Sequence, residues 1–404
     1  MNILGLFRFH SAHGVIRIRS KHAPLRLLVL GVVWVLVACG APAATPVAEV
    51  PTATTVPPTA TAVPPTATPT PEPPTATAVP PTATPTPEPP TVTPTPEPPT
   101  PTPGPQGWTP KAAMTKARLG AASAVVDGKI YVIGGMAGQR KVEAYDPATD
   151  TWTEKAELGG PTVISSASVV NGKIYVIGGN PSWNGAPLAR VWEYDPEIDA
   201  WMAKTDMPTA RDSLVTSVVD GKIYAMGGGI YDNKTDTGEV LDTVEEYDPV
   251  TDTWTQKADM PGSRCWAAAG TVDGKIYVLG GMRGALGPVS GSVYVYDPTT
   301  DTWTEAANMP GRRAWAASAV HDGRIYIFGG ADDYDDPAEG NVFAYDPAAD
   351  AWTEKADMPF ERWGMMSGLV EGKIYLIGGS ESEWDWDYLP YLSEVWEYDP
   401  ELAE

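Results

Sequence analysis

The stretch "DGKIYVIGG" at residues 127–135 decides the fold, because it returns five more times with small changes. The copies read "NGKIYVIGG" (171–179), "DGKIYAMGG" (220–228), "DGKIYVLGG" (273–281), "DGRIYIFGG" (322–330) and "EGKIYLIGG" (371–379). Asp-Gly or Asn-Gly between two apolar runs is a two-residue hairpin signal, since both positions need positive φ. The Ile, Tyr and Val run that follows reads as a strand. The paired glycines end it where another backbone or a bulky ring must come close.

Downstream of each copy lies a variable loop, then a short strand ending in Tyr-Asp-Pro. "YDPATDTW" (145–152), "YDPEIDAW" (194–201), "YDPVTDTW" (247–254), "YDPTTDTW" (296–303) and "YDPAADAW" (345–352) each reach a Trp that opens a fourth strand. A period near fifty residues means a repeat architecture, here with four antiparallel strands per unit. These landmarks resemble Kelch repeats over the whole of 107–404. The resemblance implies an all-β, six-bladed β-propeller with one blade per repeat.

The sixth Tyr-Asp-Pro (398–400) is not followed by a Trp, but "GWTPKAAM" (107–114) has the form of "TWTEKADM" (351–358). Trp108 is therefore expected to open the outermost strand of the last blade, so that the two ends pair in one sheet and close the ring. One feature departs: Gln106 stands where the other five copies carry Asp two residues before the Trp.

Residues 1–38 hold five basic side chains (Arg8, Arg17, Arg19, Lys21, Arg26), no acidic one, and the apolar run "LLVLGVVWVLV" (27–37). That pattern reads as an export signal, too short for a comfortable membrane span. Leu36-Val37-Ala38-Cys39 resembles the lipobox of bacterial lipoproteins, which implies cleavage before Cys39 and diacylglyceryl modification of its thiol. The expected location is extracytoplasmic, with the lipid anchor the only contact with the membrane. Lipidation of Cys39 would leave Cys265, the other of two cysteines, without a disulfide partner. Residues 51–103 contain only Pro, Thr, Ala, Val and Glu. Such a stretch cannot bury a core and is biased toward polyproline II, reaching on the order of 200 Å over 41–106 if extended. The chain thus divides into a signal (1–38), a linker (39–106) and a propeller (107–404).

Net charge is −23, and loss of a basic signal makes the remainder more acidic still. A surface of that sign repels nucleic acid. Only four histidines occur, three of them within 1–38; the fourth, His321, abuts the hairpin turn Asp322-Gly323. A histidine-ligated metal and a Ser-His or Cys-His mechanism are not expected, and no cofactor is implied.

The segments leading into the blades place Arg118, Arg211, Arg264, Arg313 and Arg362 in equivalent positions, with Thr162 in the second blade. In Kelch domains this position begins the innermost strand near the channel mouth. The resemblance therefore implies a five-arginine ring suited to carboxylate or phosphate. A structural role, each Arg bonding within its own blade, fits the same repetition. The loops between second and third strands vary most and share that face, which marks it as the functional one. Trp183, Tyr231, Tyr334, Trp384, Trp386 and Tyr388 offer flat surfaces there for sugar rings or protein partners. Trp266 and Trp315, two residues beyond their Arg, are expected on its side of the strand and packed between blades.

Two functions remain. One is a monomeric, surface-tethered module binding a protein, peptide or glycan at the mouth. The other is a carbohydrate-active enzyme similar to sialic-acid mutarotases, with Asp332, Glu339, Glu381 and Glu383 as candidate acids.

Overall fold

The computed structural model describes residues 10–11, 14–15, 107–182, 185–232, 237–284, 287–333, 337–381 and 390–403, with backbone alone at 10–11, 14–15, 231–232 and 237. Cys39, the linker, Trp183, Tyr334, Glu383, Trp384, Trp386, Tyr388 and the Tyr231 side chain lie outside this set. The chain divides into two units, Met1–Thr91 and Val92–Glu404. In the first, His10–Ser11 and Gly14–Val15 pair as a short antiparallel ladder.

The second unit holds six four-stranded antiparallel sheets. Blade 1 is typical: Ala122–Val126, Lys129–Ile133, Val142–Asp146 and Thr151–Lys155 follow one another from axis to rim. The hairpin turns take the left-handed conformation the sequence demands, with φ of 50° at Asp127 and 70° at Gly128. The strand after the turn is buried from its second residue onward, because neighbouring blades cover both of its faces.

The glycine pairs join blade to blade. A Cβ on Gly178 would lie 2.5 Å from the carbonyl oxygen of Arg211, in the next blade, and the N–H of Gly179 donates to that same oxygen at 3.0 Å. The same bond runs from Gly379 to Arg118 and joins the last blade to the first. Backbone against backbone is the close approach that excludes any side chain here.

A second set of bonds binds the rim. Trp152, Trp201, Trp254, Trp303 and Trp352 donate their indole N–H to carbonyls of the preceding blade (Ala112, Ala156, Thr205, Ala258, Ala307). The Asp two residues earlier accepts both the amide of that same neighbour and its own blade's Tyr hydroxyl. Asp150 Oδ1, for instance, takes Ala112 N–H at 2.8 Å and Tyr145 O–H at 2.7 Å. Together Asp and Trp clasp one residue of the adjacent blade.

Ring closure is as expected. The sixth sheet consists of Met366–Val370, Lys373–Ile377, Val395–Tyr398 and Trp108–Lys111, with Trp108 opposite Tyr398. The missing Asp has a visible consequence. Without an aspartate at 106, the buried Tyr398 Oη has no hydrogen-bond partner among the described residues, and neither has Trp108 Nε1, whose counterparts donate to a carbonyl. Closure there rests on packing instead: Trp108 meets Tyr398 at 4.6 Å and the edges of Phe328 and Phe360 at 6.1 Å between ring centroids.

Candidate functional site

The loop face is organised around a closed circle of backbone hydrogen bonds at the axis. Ile164 donates to Gly120, Ser213 to Ile164, Trp266 to Ser213, Trp315 to Trp266, Gly364 to Trp315 and Gly120 to Gly364, each N–H reaching the carbonyl of the blade before. All six residues are left-handed, with φ from 50° at Ile164 to 65° at Gly364. A β-branched or bulky residue there costs on the order of 1–2 kcal/mol. The conformation persists because it turns both peptide groups along the circle, where they would otherwise be buried unpaired.

This circle corrects the expected course of the arginines. Each stands two residues before its circle member, ahead of the innermost strand, which begins only at Ala268 in blade 4 and Ala317 in blade 5. Trp266 is itself left-handed, which breaks the extended alternation that would have put it and Arg264 on one side. Trp266 and Trp315 stack on each other across adjacent blades, with centroids 4.8 Å apart.

Instead of opening into a shared mouth, the five guanidinium groups are buried, between 0 and 6% exposed, and bonded within their own blades. Arg118 donates to the carbonyls of Val132, Gly134 and Lys141 and pairs with Glu143. Arg211 donates to Ala225 and Thr243 and pairs with Glu245 at 2.7 Å. Burial pulls both guanidiniums below their usual range, while Glu143 and Glu245 push back. As a ligand-binding ring these arginines are not available in this arrangement. A ligand would have to displace a buried counter-charge or carbonyl, each worth more than a solvent-exposed contact.

The partner comes from one slot on the third strand, and the slot has two solutions. In blades 1 and 3 it holds Glu143 and Glu245. In blades 4 and 5 it holds an aromatic ring, with Arg264 4.7 Å from the centre of Tyr294 and Arg313 5.6 Å from that of Phe343. Blade 6 has Trp396 in the slot and takes its charges from either side, pairing Arg362 with Glu381 at 2.7 Å and Glu394 at 2.8 Å. That guanidinium holds the Glu394 carboxyl below the usual range. In blade 2, where Thr162 replaces Arg, the slot residue Trp192 packs directly on Gly159.

Three of the four candidate acids are thereby accounted for. Asp332 pairs with Arg312 at 3.0 Å, Glu339 approaches Arg313 at 3.8 Å, and Glu381 pairs with Arg362. Among the described residues no group of three or more His, Cys, Asp and Glu side chains is placed to hold a metal. Cys265 is buried and free, its thiol pushed well above the ordinary range by desolvation. Of the six aromatic loop candidates none has a described side chain. The loop that carries Tyr231 projects as its own hairpin, Gly229–Asp232 against Thr237–Val240.

One carboxyl that the sequence reading passed over sits beside the circle. Asp212 is 5% exposed and, among the described residues, its carboxyl is bonded only to neutral groups, Ser213 Oγ at 2.6 Å and Asn180 Nδ2 at 2.8 Å. Desolvation pushes it above the usual carboxylate range. Aligning the repeats at the residue after Arg would have shown it, since the other five blades carry Leu119, Val163, Cys265, Ala314 and Trp363 there.

Residues 106–281 match the KLHDC2/KLHL20/DRC7 Kelch-repeats domain, and residues 263–310 and 312–359 match the Kelch motif. With the ring of six four-stranded sheets, these matches define the chain as a Kelch-type propeller. The solved structure of YjhT shares the fold at a TM-score of 0.60 and 17% identity, over 70% of this chain and 95% of that one. No curated protein matches the chain significantly.

Proposed function

We propose that this chain is an extracytoplasmic binding module, held to the membrane by a lipidated Cys39 and carried away from it by the Pro/Thr-rich linker. Its loop face engages a protein partner. The observation that carries this reading is a division of labour within each repeat. The conserved-looking chemistry of the copies, arginine included, is used up in buried bonds that hold the blades rigid. The segments between second and third strands differ in length and side chains, and all leave from the same face. A rigid frame that displays unlike loops is how scaffolds with loop-borne recognition are built. The export signal and linker support the surface location, and the acidic surface argues against nucleic acid.

The enzymatic alternative is weaker on the same grounds, because Asp332, Glu339 and Glu381 each stand beside an arginine of the frame.

The test is affinity capture with purified 39–404 against intact surface proteins of its own cells, paired with a variant whose 229–242 and 380–393 loops are cut to short Gly-Ser turns. A partner captured by the native protein and lost with the trimmed one, at equal thermal stability, supports the reading. A partner still captured after trimming, or catalytic turnover of a sugar by the native protein, overturns it.

A further inference from the structure

Blade 4 is the place where the arginine network lacks an acid. Arg264 is buried, yet its polar contacts are the Ser263 carbonyl, Ser292 Oγ and the Tyr294 ring, with no carboxylate among the described residues. Burial lowers its proton affinity and a second cation, Arg283, lowers it further, while the Tyr294 side chain works the other way. Arg283 is exposed and reaches Ser290 Oγ at 3.5 Å, and Ser290 Oγ lies 2.9 Å from Ser292 Oγ. Two guanidiniums therefore bracket a pair of hydroxyls: Arg264, Ser292, Ser290, Arg283.

Ser290 is itself 5% exposed, and its Oγ already accepts the Ser292 N–H. One hydroxyl hydrogen serves the bond between the serines. The other has no acceptor among the described residues. The spare hydrogen falls to Ser292, since Ser290 Oγ also accepts from Arg283, and Ser292 is half-buried and faces the cleft. Two neighbouring cations without a counter-ion among the described residues are unfavourable, and one anion at that hydroxyl relieves them.

The space for it exists. Arg283, Ser290, Ser292, Asn308 and Arg312 line a cleft of about 430 Å³ between the loop of blade 4 and the lead-in to blade 5. Gly291 and Gly311 stand on its two walls, and a Cβ on Gly291 would come within 3.4 Å of the Gly311 carbonyl. Arg312 shares its charge with Asp332 across the outer wall. In a chain with 51 acidic side chains against 28 basic ones, such a pocket is a local inversion of charge.

We propose that this cleft binds an oxyanion group (carboxylate, sulfate or phosphate) of a small ligand, held by Arg283 and the Ser290–Ser292 hydroxyls and supported from beneath by Arg264. The site rests on the loop face being the binding face, but it needs no protein partner, so its test stands apart from the capture experiment.

Calorimetric titration of 39–404 with inorganic sulfate, inorganic phosphate and glucuronate at constant ionic strength tests it and separates the three sources. Saturable binding of at least one is expected, weakened about tenfold or more by Arg283→Gln and unchanged by Arg190→Gln on the exposed equivalent loop of blade 2. Ser292→Glu places a carboxylate where blade 6 carries Glu394, which satisfies Arg362. That variant is expected to fold with equal or higher stability and to abolish binding. No saturable binding by any of the three anions, or binding that survives Arg283→Gln or Ser292→Glu, overturns the proposal.

Discussion

The two solutions of the arginine slot predict an asymmetric outcome at Glu245. This carboxylate is 1% exposed, pairs with the fully buried Arg211 and accepts a hydrogen bond from Thr209 Oγ1 at 2.8 Å. Glu245→Ala leaves the guanidinium its carbonyl partners but no counter-charge. Removing one member of a buried pair costs about 3–5 kcal/mol, most of it the penalty of the stranded charge. Glu245→Tyr instead installs the arrangement of blade 4, where Arg264 lies 4.7 Å from the Tyr294 ring centre. A desolvated cation–π contact returns about 2 kcal/mol, so the Tyr variant is expected to lose about 2 kcal/mol less than the Ala variant. Urea unfolding followed by tryptophan fluorescence measures both, as shifts in midpoint at unchanged slope. A Tyr variant as unstable as the Ala variant would show that the aromatic in the slot is packing, not a partner. A loss below about 0.5 kcal/mol in Glu245→Ala would falsify the claim that the buried arginines depend on counter-charge at all.

Trp108→Ala removes the buried ring that latches the last blade and is expected to cost about 3–5 kcal/mol, whereas Trp303→Phe loses only the indole bond to Ala258 and about 1 kcal/mol; equal losses in the urea midpoint would refute the latch. Asp212 supplies a pH test. Its carboxyl is raised by burial, so the native state holds that proton more tightly than the unfolded chain does. The stability it contributes is fully present below the unfolded value of about 3.9 and is lost as pH rises through the higher folded value. Asp212→Asn cannot titrate, and Asn180, turned over, can accept from its amide through the Oδ1 that now has no partner. The variant should therefore gain on the native protein between pH 4 and 7 in parallel melts, and a constant difference across that range would sink the assignment.

The fold was legible because its determinants are local and repeated. Asp127-Gly128 needs two left-handed residues, and Gly178-Gly179 needs room for a carbonyl; in both cases the residue type itself names the constraint. Trp108 was legible as the missing sixth copy of a rim residue, and Gln106 flagged in advance the blade whose Tyr398 hydroxyl goes unpaired. The arginines were harder. Their repetition was plain, but repetition says only that five environments are alike, not which way the side chain points. That direction is set by the left-handed residue two positions on, and nothing in Ile164, Ser213, Trp266 or Trp315 announces a positive φ as glycine does. Gly120 and Gly364 occupy the same place in blades 1 and 6, so the signal was present in two copies and hidden in four.

The departures from the repeat, rather than the repeat itself, then point to function. A residue that recurs in blade after blade and is satisfied within its own blade answers to the needs of the ring. Arg118 and Arg211 with their glutamates are of this kind. Arg264 keeps the arginine and loses the acid, and Ser290 and Ser292 stand beside it, the latter where blade 6 has Glu394. Asp212 puts a carboxyl where every other blade is apolar. Neither change helps the frame: one strands a buried cation and the other buries an acid among neutral groups, each at a cost of at least a kilocalorie or so per mole. Whether such a cost is offset by a ligand is the question the anion titration asks of blade 4, where two cations stand together without a carboxylate among the described residues.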